Sequence, residues 1–294
     1  MDEAVEKQKM KRWNAILLGA VALLVIGVAL INRQPSARPA AEENMMNVPA
    51  VKTAGPRVPV LVELFTSEGC SSCPPADDLL SQLDKSQPLP GVEVIVMSQH
   101  VDYWNQLGWA DPYSAAEFSA RQSDYSAAFG RDGVYTPQMV VDGQAEFVGS
   151  NRERAREAIA SAARAPKATI TLKRGESDKE ADATTTALQL RVENLPPVSK
   201  GDTAEVLLAI TESDLRSSVS RGENSGRRLT HTAVVRQMNV VGTLTAGSTE
   251  AFTAAPVLML AGNWKRANLR AVVFVQGRES RKVLGAAATS LAVQ

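Results

Sequence analysis

The order of apolar and polar positions divides the chain into stretches of different character. Residues 15–31 are apolar and uncharged, residues 32–57 are rich in proline and polar side chains, and regular patterns begin at Val58. The first regular stretch, residues 58–165, predicts strands and helices in the order β-α-β-α-β-β-α. Its predicted strands are Val58–Phe65, Val92–Ser98, Gln138–Val141 and Ala145–Val148, and its predicted helices are Pro74–Lys85, Ser114–Phe129 and Arg152–Ala163.

Two local signals support these boundaries. Ser114 with Glu117 three residues later has the pattern of a capping box, which predicts the start of the second helix. Asp142-Gly143 between two apolar runs predicts a tight hairpin turn. The order of elements is that of the thioredoxin fold, a mixed sheet with helices on both faces. We therefore predict an α/β thioredoxin-like domain over residues 58–165.

From residue 166 the chain changes to short segments rich in Val, Thr and Leu, separated by turn sequences. These segments are Thr169–Lys173, Thr184–Glu193, Ala204–Ser213, Leu229–Val241, Glu250–Val257, Leu269–Gln276 and Lys282–Ala292. About seven strands in roughly 125 residues predict an antiparallel β-sandwich. Residues 166–294 are therefore expected to form a second domain. Within it, the stretch Gly222–His231 is either a glycine-bounded loop that enters a strand or an interface with the first domain.

The N-terminal apolar stretch predicts a membrane segment. Its length, 17 residues over positions 15–31, is near the lower limit for a helix that crosses a bilayer. Basic residues within positions 1–14 place that tail in the cytoplasm by the positive-inside rule. We predict a single-pass inner-membrane signal anchor, a proline-rich linker over residues 32–57, and C-terminal domains that face the periplasm. Secretion after cleavage of a signal peptide is the alternative.

Composition and charge exclude some partners. The apolar fraction of 44% and the charged fraction of 22% are those of an ordinary globular protein. The 32 basic and 32 acidic side chains cancel, whereas phosphate binding normally requires a clustered basic excess. We expect no nucleic-acid partner.

Cys70 and Cys73 are the only cysteines of the chain, and they lie between a predicted strand and a predicted helix. A C-x-x-C pair in this position is typical of dithiol redox chemistry. At a helix N-terminus the free N–H groups and the helix dipole stabilise a thiolate, so we predict Cys70 as the nucleophile and Cys73 as the resolving thiol. The expected function is that of a thiol–disulfide oxidoreductase, without a cofactor, which acts on protein thiols or disulfides of the cell envelope.

Other functions use the same two cysteines. Cys70 and Cys73 together with His100 could bind Cu(I), because soft thiolates favour that ion, and the protein would then be a copper metallochaperone. Alternatively, the disulfide could be regulatory in an envelope protein-binding module, or simply structural. Enzymatic activity is therefore left open at this point.

Further candidate residues lie near the dithiol in the predicted fold. In thioredoxin folds a cis-proline begins the strand that faces the dithiol, and Thr136 and Pro137 fit this substrate-positioning role. His100 and Asp102 follow the second predicted strand, at the edge where ligands gather in open α/β sheets, and could transfer a proton or tune the nucleophile. Glu63 is polar in an apolar strand, and it either accepts the proton of the resolving thiol or points outward.

The segment Val62–Asp77, which includes Cys70-Ser71-Ser72-Cys73, resembles the secreted bacterial thioredoxin-like proteins of domain of unknown function 1223. The same resemblance is carried by His100–Trp104, Gly108-Trp109, Asp111-Pro112, Tyr135–Gln138 and Asn224–Arg236. It extends from about Val58 to the C-terminus. The resemblance implies a thioredoxin-like fold and export, but no settled activity. The long N-terminal apolar segment departs from an obvious cleavable signal.

Overall fold

The computed structural model describes residues 57–175, 184–245 and 250–292, and these residues form three α-helices and fourteen strands. The helices are α1 (Pro74–Ser86), α2 (Ala116–Ala128) and α3 (Arg152–Ala162). The strands are β1 (Val58–Thr66), β2 (Val92–His100), β3 (Gln138–Val141), β4 (Ala145–Val148), β5 (Thr169–Arg174), β6 (Thr185–Glu193), β7 (Ala204–Glu212), β8 (Leu215–Ser218), β9 (Arg228–His231), β10 (Val234–Leu244), β11 (Phe252–Ala254), β12 (Val257–Met259), β13 (Leu269–Gly277) and β14 (Val283–Ser290).

Eight of these strands form one mixed sheet in the order β14-β13-β7-β10-β2-β1-β3-β4. At its centre β1 runs parallel to β2 and antiparallel to β3. On the other side of β2, β10 pairs in parallel at Val234 and Ser98 and then continues antiparallel along β7. The sheet therefore contains strands from both halves of the chain.

This sheet shows that the predicted fold class is wrong. The sequence predicts a thioredoxin-like α/β domain followed by a separate antiparallel β-sandwich. Instead, the described protein is mostly a mixed β-sheet with few helices, and β10 from the second half hydrogen-bonds directly to β2 from the first. The physical reason is that the open edge of β2 presents backbone N–H and C=O groups that must be paired when they are buried. Strands β10, β7, β13 and β14 extend the sheet from that edge.

The central strands are buried on both faces by helices or by further strands. On one face Val62 of β1 packs in a core with Leu80 of α1 and Ile159 of α3. On the other face Leu61 packs in a core with Phe118 of α2. This two-sided burial explains why β1 and β2 read as continuous apolar runs in the sequence.

A smaller antiparallel sheet forms a second layer. In it β6 pairs with β5, β11 and β12. Leu188 and Leu190 of β6 share a core with Leu208 of β7 and Val273 of β13, so this layer packs on the large sheet. The segments that predict a separate sandwich are thus divided between the large sheet and this second layer.

The predicted fold class also includes a transmembrane helix over residues 15–31. That segment, the predicted tail over residues 1–14 and residues 32–56 of the predicted linker lie outside the described residues. Within the described residues, no helix is long and apolar enough to span a bilayer.

Two local predictions have different outcomes. The capping box at Ser114 is wrong, because the N-cap of α2 is Ala115 and the Ser114 hydroxyl donates to the Asp111 carbonyl at 2.8 Å. The hairpin at Asp142-Gly143 is confirmed, because both residues have positive φ (48° and 61°) and join β3 to β4. Positive φ at both central residues is characteristic of the type I′ turn, whose twist matches that of the two strands it joins.

Candidate active site

Cys70 and Cys73 form a disulfide in the loop between β1 and α1, with their Cα atoms 5.4 Å apart. Helix α1 begins at Pro74, where the missing N–H of proline costs nothing. Cys73 is the N-cap residue, and its carbonyl accepts a hydrogen bond from the Asp77 amide at 3.1 Å. The disulfide therefore lies directly at the positive end of the α1 dipole.

A distant segment holds this disulfide loop. Residues 219–227, which connect β8 to β9 and which we call the clamp loop, hydrogen-bond to its backbone. The buried side-chain amide of Asn224 donates to the carbonyls of Glu68 (2.8 Å) and Cys70 (2.9 Å). The Glu223 carboxylate accepts from the Ser71 amide at 2.9 Å. Because both cysteines are fully buried, a partner sulfur reaches them only if the surrounding segments move.

Asp111 organises the polar interior on the α1 side of the sheet. Its carboxylate accepts hydrogen bonds from the Glu68 amide (2.8 Å), the Tyr113 amide (2.9 Å) and His100 Nδ1 (2.7 Å). Burial works to raise the pKa of Asp111, but His100 and the two amides outweigh it and hold that pKa below its ordinary value. Since an ionised carboxylate only accepts hydrogen bonds, Nδ1 of His100 carries the hydrogen.

Glu68 links this interior to the second histidine. Its carboxylate accepts from Trp109 Nε1 at 2.8 Å and pairs with His231 Nε2 at 2.9 Å. The His231 and His100 rings meet edge to face with their centroids 4.8 Å apart. The residue two positions before Cys70 is thus fixed by a buried network that contains both histidines of the chain.

Asp77 lies one turn after Cys73 in α1 and on the same face of that helix. The residue keeps some exposed surface, but its carboxyl group is enclosed by protein atoms, and this burial raises the pKa of Asp77 to about 7. His231 opposes the rise, whereas Asp111 and Asp78 add to it. A carboxyl group that changes protonation near neutral pH therefore lies within one helical turn of the disulfide.

Glu63, a candidate proton acceptor, is not brought to the disulfide. Its carboxylate forms a bidentate ion pair with Arg121 of α2 (2.7 and 3.0 Å) and accepts from Gln99 (2.6 Å) and from the Tyr125 hydroxyl. Helix α2 lies on the opposite face of the sheet from α1. Strand alternation thus directs Glu63 away from Cys73.

The two candidates that follow β2 are separated by the structure. His100 joins the buried network through Asp111. Asp102 instead accepts a hydrogen bond from the Ser119 hydroxyl of α2 (2.5 Å), and its own amide donates to the same oxygen (3.1 Å). Asp102 therefore orders the loop against α2, and only His100 reaches the network beside the disulfide loop.

The Thr136–Pro137 peptide bond is cis, as the sequence predicts. Trp104 connects it to the disulfide loop, because its indole N–H donates to Thr136 Oγ1 at 2.8 Å. Trp104 also lies so close to Gly69 that a Cβ atom added there would be 3.3 Å from Trp104 Cβ. The role of Thr136 and Pro137 in positioning a substrate stays a prediction.

The copper alternative has no supporting geometry in this oxidised form. Both sulfur atoms of its predicted ligands Cys70 and Cys73 are used by the disulfide. In the part of the chain that the structure describes, no group of three His, Cys, Asp or Glu side chains is placed to hold a metal ion.

Sequence reasoning missed three neighbours of the dithiol, namely Asp77, Asn224 and His231. Asp77 had a usable signal, since residues four apart in a helix share a face and it follows Cys73 by four positions. Asn224 lies 154 residues from Cys70 and His231 lies 163 residues from Glu68. The open question about the stretch Gly222–His231 is answered by these contacts, because that stretch binds the disulfide loop.

The fold and the site define a mixed-sheet protein with a C-x-x-C disulfide at a helix N-terminus. The chain belongs to the family described as protein of unknown function (DUF1223), whose pattern matches residues 61–276. This match confirms the family that the sequence resembles, but not the thioredoxin-like fold that the resemblance implies. No curated protein matches the chain.

Several solved structures resemble this fold, and they include the following two. The crystal structure of a protein from Agrobacterium tumefaciens is 24% identical, with a TM-score of 0.62 over 81% of this chain and 96% of that chain. HBP35 of Porphyromonas gingivalis is 14% identical, with a TM-score of 0.56 over 80% of this chain and 75% of that chain. At these identities the likeness concerns the fold alone.

Proposed function

We propose that this protein is a thiol–disulfide oxidoreductase that exchanges disulfides with other proteins outside the cytoplasm. The observation that carries the proposal is the Cys70–Cys73 disulfide at the N-terminal end of α1. Cysteine pairs in this arrangement stabilise a thiolate and exchange readily with other thiols. The compartment is proposed because a disulfide persists where cytosolic reductants do not act.

Cys70 is the sulfur that exchanges with the client, because it precedes the helix, whereas Cys73 belongs to the helix N-cap. In the reducing direction the Cys70 thiolate attacks a client disulfide and forms a mixed disulfide, and one client sulfur leaves. The Cys73 thiolate then attacks Cys70 Sγ, the client is released with two thiols, and the cysteine pair is oxidised. The same steps in reverse oxidise a client dithiol.

Two segments beside the disulfide loop support the proposal that a client protein can reach Cys70. The clamp loop contacts the disulfide loop through Asn224 and Glu223, so its movement changes the surroundings of Cys70. The cis peptide at Thr136–Pro137 is joined to the residues before Cys70 through Trp104. We propose that a client backbone binds beside Thr136 and Pro137 while the clamp loop is displaced.

The experiment that tests the function uses the full-length protein and follows insulin reduction in the presence of dithiothreitol. We expect the wild type to accelerate insulin reduction and Cys70→Ser to lose that acceleration. Cys73→Ser should accumulate a mixed disulfide with insulin, which mass spectrometry detects. Ser86→Ala, an exposed position at the far end of α1, is the matched control. Equal rates for wild type and Cys70→Ser would sink the proposal.

The complete burial of both cysteines favours a second candidate, an envelope protein-binding module in which the disulfide holds the clamp loop in place. In that case the folded protein resists reduction by glutathione and becomes reducible only on unfolding. Cys73→Ser would then trap no client.

A further inference from the structure

Disulfide exchange through Cys70 and Cys73 requires a base for the second thiol. Cys73 must lose its proton before it attacks a mixed disulfide, because the thiolate is the nucleophile. The carboxylate that the sequence suggests, Glu63, is bound to Arg121 on the far face of the sheet. The base must therefore come from groups on the α1 side.

Asp77 lies where it can accept the proton of the Cys73 thiol. Its amide donates to the Cys73 carbonyl at 3.1 Å, and side chains four residues apart in a helix have Cβ atoms about 5–6 Å apart on one face. Because its enclosed carboxyl group has a pKa of about 7, it takes up and returns a proton near neutral pH.

His231 supplies a second proton-binding atom beside Asp77. Its Nε2–H is donated to Glu68, so in the neutral ring Nδ1 carries a lone pair. Among the described residues, six buried side-chain atoms have no hydrogen-bond partner of standard geometry, and they include Nδ1 of His231, Oγ1 of Thr66 and Nε2 of His100. The Thr66 hydroxyl lies beside the Asp77 carboxyl. Buried polar atoms without a partner are costly, and a role in proton transfer accounts for an unpaired base at this position.

We propose that Asp77 and His231 together accept the proton of Cys73 when this thiol resolves a mixed disulfide, an inference that rests on the proposed function. The Cys73 thiol gives its proton to the pair, and its sulfur forms a bond to Cys70 Sγ. The bond between Cys70 and the client sulfur breaks. The client sulfur leaves as a thiolate and takes a proton from solvent, so the cysteine pair is oxidised and the client is reduced.

The charged groups around the pair set its proton affinity from every side. On the α1 side, Asp78 raises the pKa of Asp77, and Asp111 raises it from the loop after β2. On the β9 side, the Glu68 carboxylate holds a hydrogen on His231 Nε2. The His100 and Tyr113 rings complete the enclosure, with centroids 4.8 and 5.6 Å from that of His231.

The test follows the resolving step alone in the reduced, full-length protein. The Cys70 thiolate attacks dithiobisnitrobenzoate, forms a mixed disulfide and releases a first coloured thiol. The attack of Cys73 then releases a second coloured thiol, and stopped-flow absorbance records this second phase. For wild type we expect a rate that rises with an inflection near the pKa of Asp77, about 7. Asp77→Asn should be about 100-fold slower at neutral pH, which is within the usual contribution of a general base.

The pH profile separates proton transfer from a structural effect. Above about pH 9, where a thiol ionises without help, Asp77→Asn should approach the wild-type rate. Asp132→Asn, an exposed carboxyl in the loop between α2 and β3, should keep the wild-type profile. His231→Gln retains an N–H for Glu68 but lacks Nδ1. Because His231 opposes the rise in the pKa of Asp77, its inflection should move to higher pH.

An Asp77→Asn profile equal to that of Asp132→Asn, or a rate lowered equally at every pH, overturns the inference. If Asp77→Asn does not fold, His231→Gln decides, and an unmoved inflection there overturns the inference too. The proposed function fails separately, by the lack of insulin reduction in a wild-type protein that still reacts with dithiobisnitrobenzoate.

Discussion

Glu63 and Asp77 are carboxylates with enclosed side chains on opposite faces of the same sheet, and their partners give them different properties. The negative charge of Glu63 is stabilised inside the protein by the guanidinium of Arg121 and by hydrogen bonds from Gln99 and Tyr125. For Asp77 the effect of burial outweighs the opposing effect of His231, and its pKa rises to about 7 instead. At the scale of single residues, Glu63 therefore belongs to the framework, and Asp77 can exchange a proton.

The raised pKa of Asp77 predicts how stability depends on pH. Between the ordinary value of 3.8 and about 7 the folded protein binds this proton more tightly than the unfolded chain. The stabilisation is complete below pH 3.8 and is lost as pH rises towards 7. As pH rises over this window, the unfolding free energy of wild type should therefore fall more steeply than that of Asp77→Asn. The difference in slope is up to roughly 1.4 kcal/mol per pH unit.

Urea denaturation of the oxidised protein at a series of pH values measures this difference. Asp132→Asn is the matched control, because its carboxyl is exposed in the loop after α2 and its removal should leave the wild-type slope intact. A difference between Asp77→Asn and wild type that is constant over the window would contradict the assignment.

At the scale of elements, the clamp loop joins two parts of the chain that the sequence places far apart. It leads from β8 into β9, so one element presents Asn224 to the disulfide loop and His231 to Glu68. The order of the disulfide loop thus depends on the second half of the chain.

This dependence predicts the effect of loosening the clamp loop. Asn224→Ala removes two hydrogen bonds to the disulfide loop, each worth about 0.5–1.5 kcal/mol. We expect the disulfide of the folded protein to be reduced by dithiothreitol about tenfold faster or more, since about 1.4 kcal/mol corresponds to a factor of ten. Mass spectrometry after alkylation measures the rate. Arg221→Ala, an exposed position in the same loop, is the control, and equal rates for the two variants would show that the clamp loop does not limit access.

At the scale of the whole molecule, the pairing of β10 with β2 makes the two halves of the chain parts of one sheet. In a Trp13→Phe, Trp264→Phe variant the fluorescence of the remaining Trp104 and Trp109 reports on the first half, whereas far-ultraviolet circular dichroism reports on all strands. We expect both signals to change in one coincident transition during denaturation with guanidinium chloride. The isolated segment 58–165 should fail to show a cooperative transition, because it lacks the strands that pair with β2 and cover it. Two separated transitions would mean that the halves fold independently.

Local patterns predicted much of the secondary structure and little of its assembly. β1, α1 and β2 lie where apolar runs and helical spacing indicate them, and the Asp142-Gly143 turn joins β3 to β4. The fold class was wrong because strand composition is the same whether a strand joins a separate sandwich or extends an existing sheet. Which of the two a strand does depends on which buried sheet edge needs hydrogen-bond partners. A short segment of sequence does not contain that information.

The sequence by itself determined the reactive pair, because two cysteines at C-x-x-C spacing before a helix can form a disulfide through local geometry alone. It also determined the family. Only the tertiary structure decided that Glu63 faces α2 and that Asn224 and His231 contact the disulfide loop. The face that a strand side chain takes follows from what packs on each side of the sheet. Contacts between residues 154 positions apart form only when the whole sheet assembles.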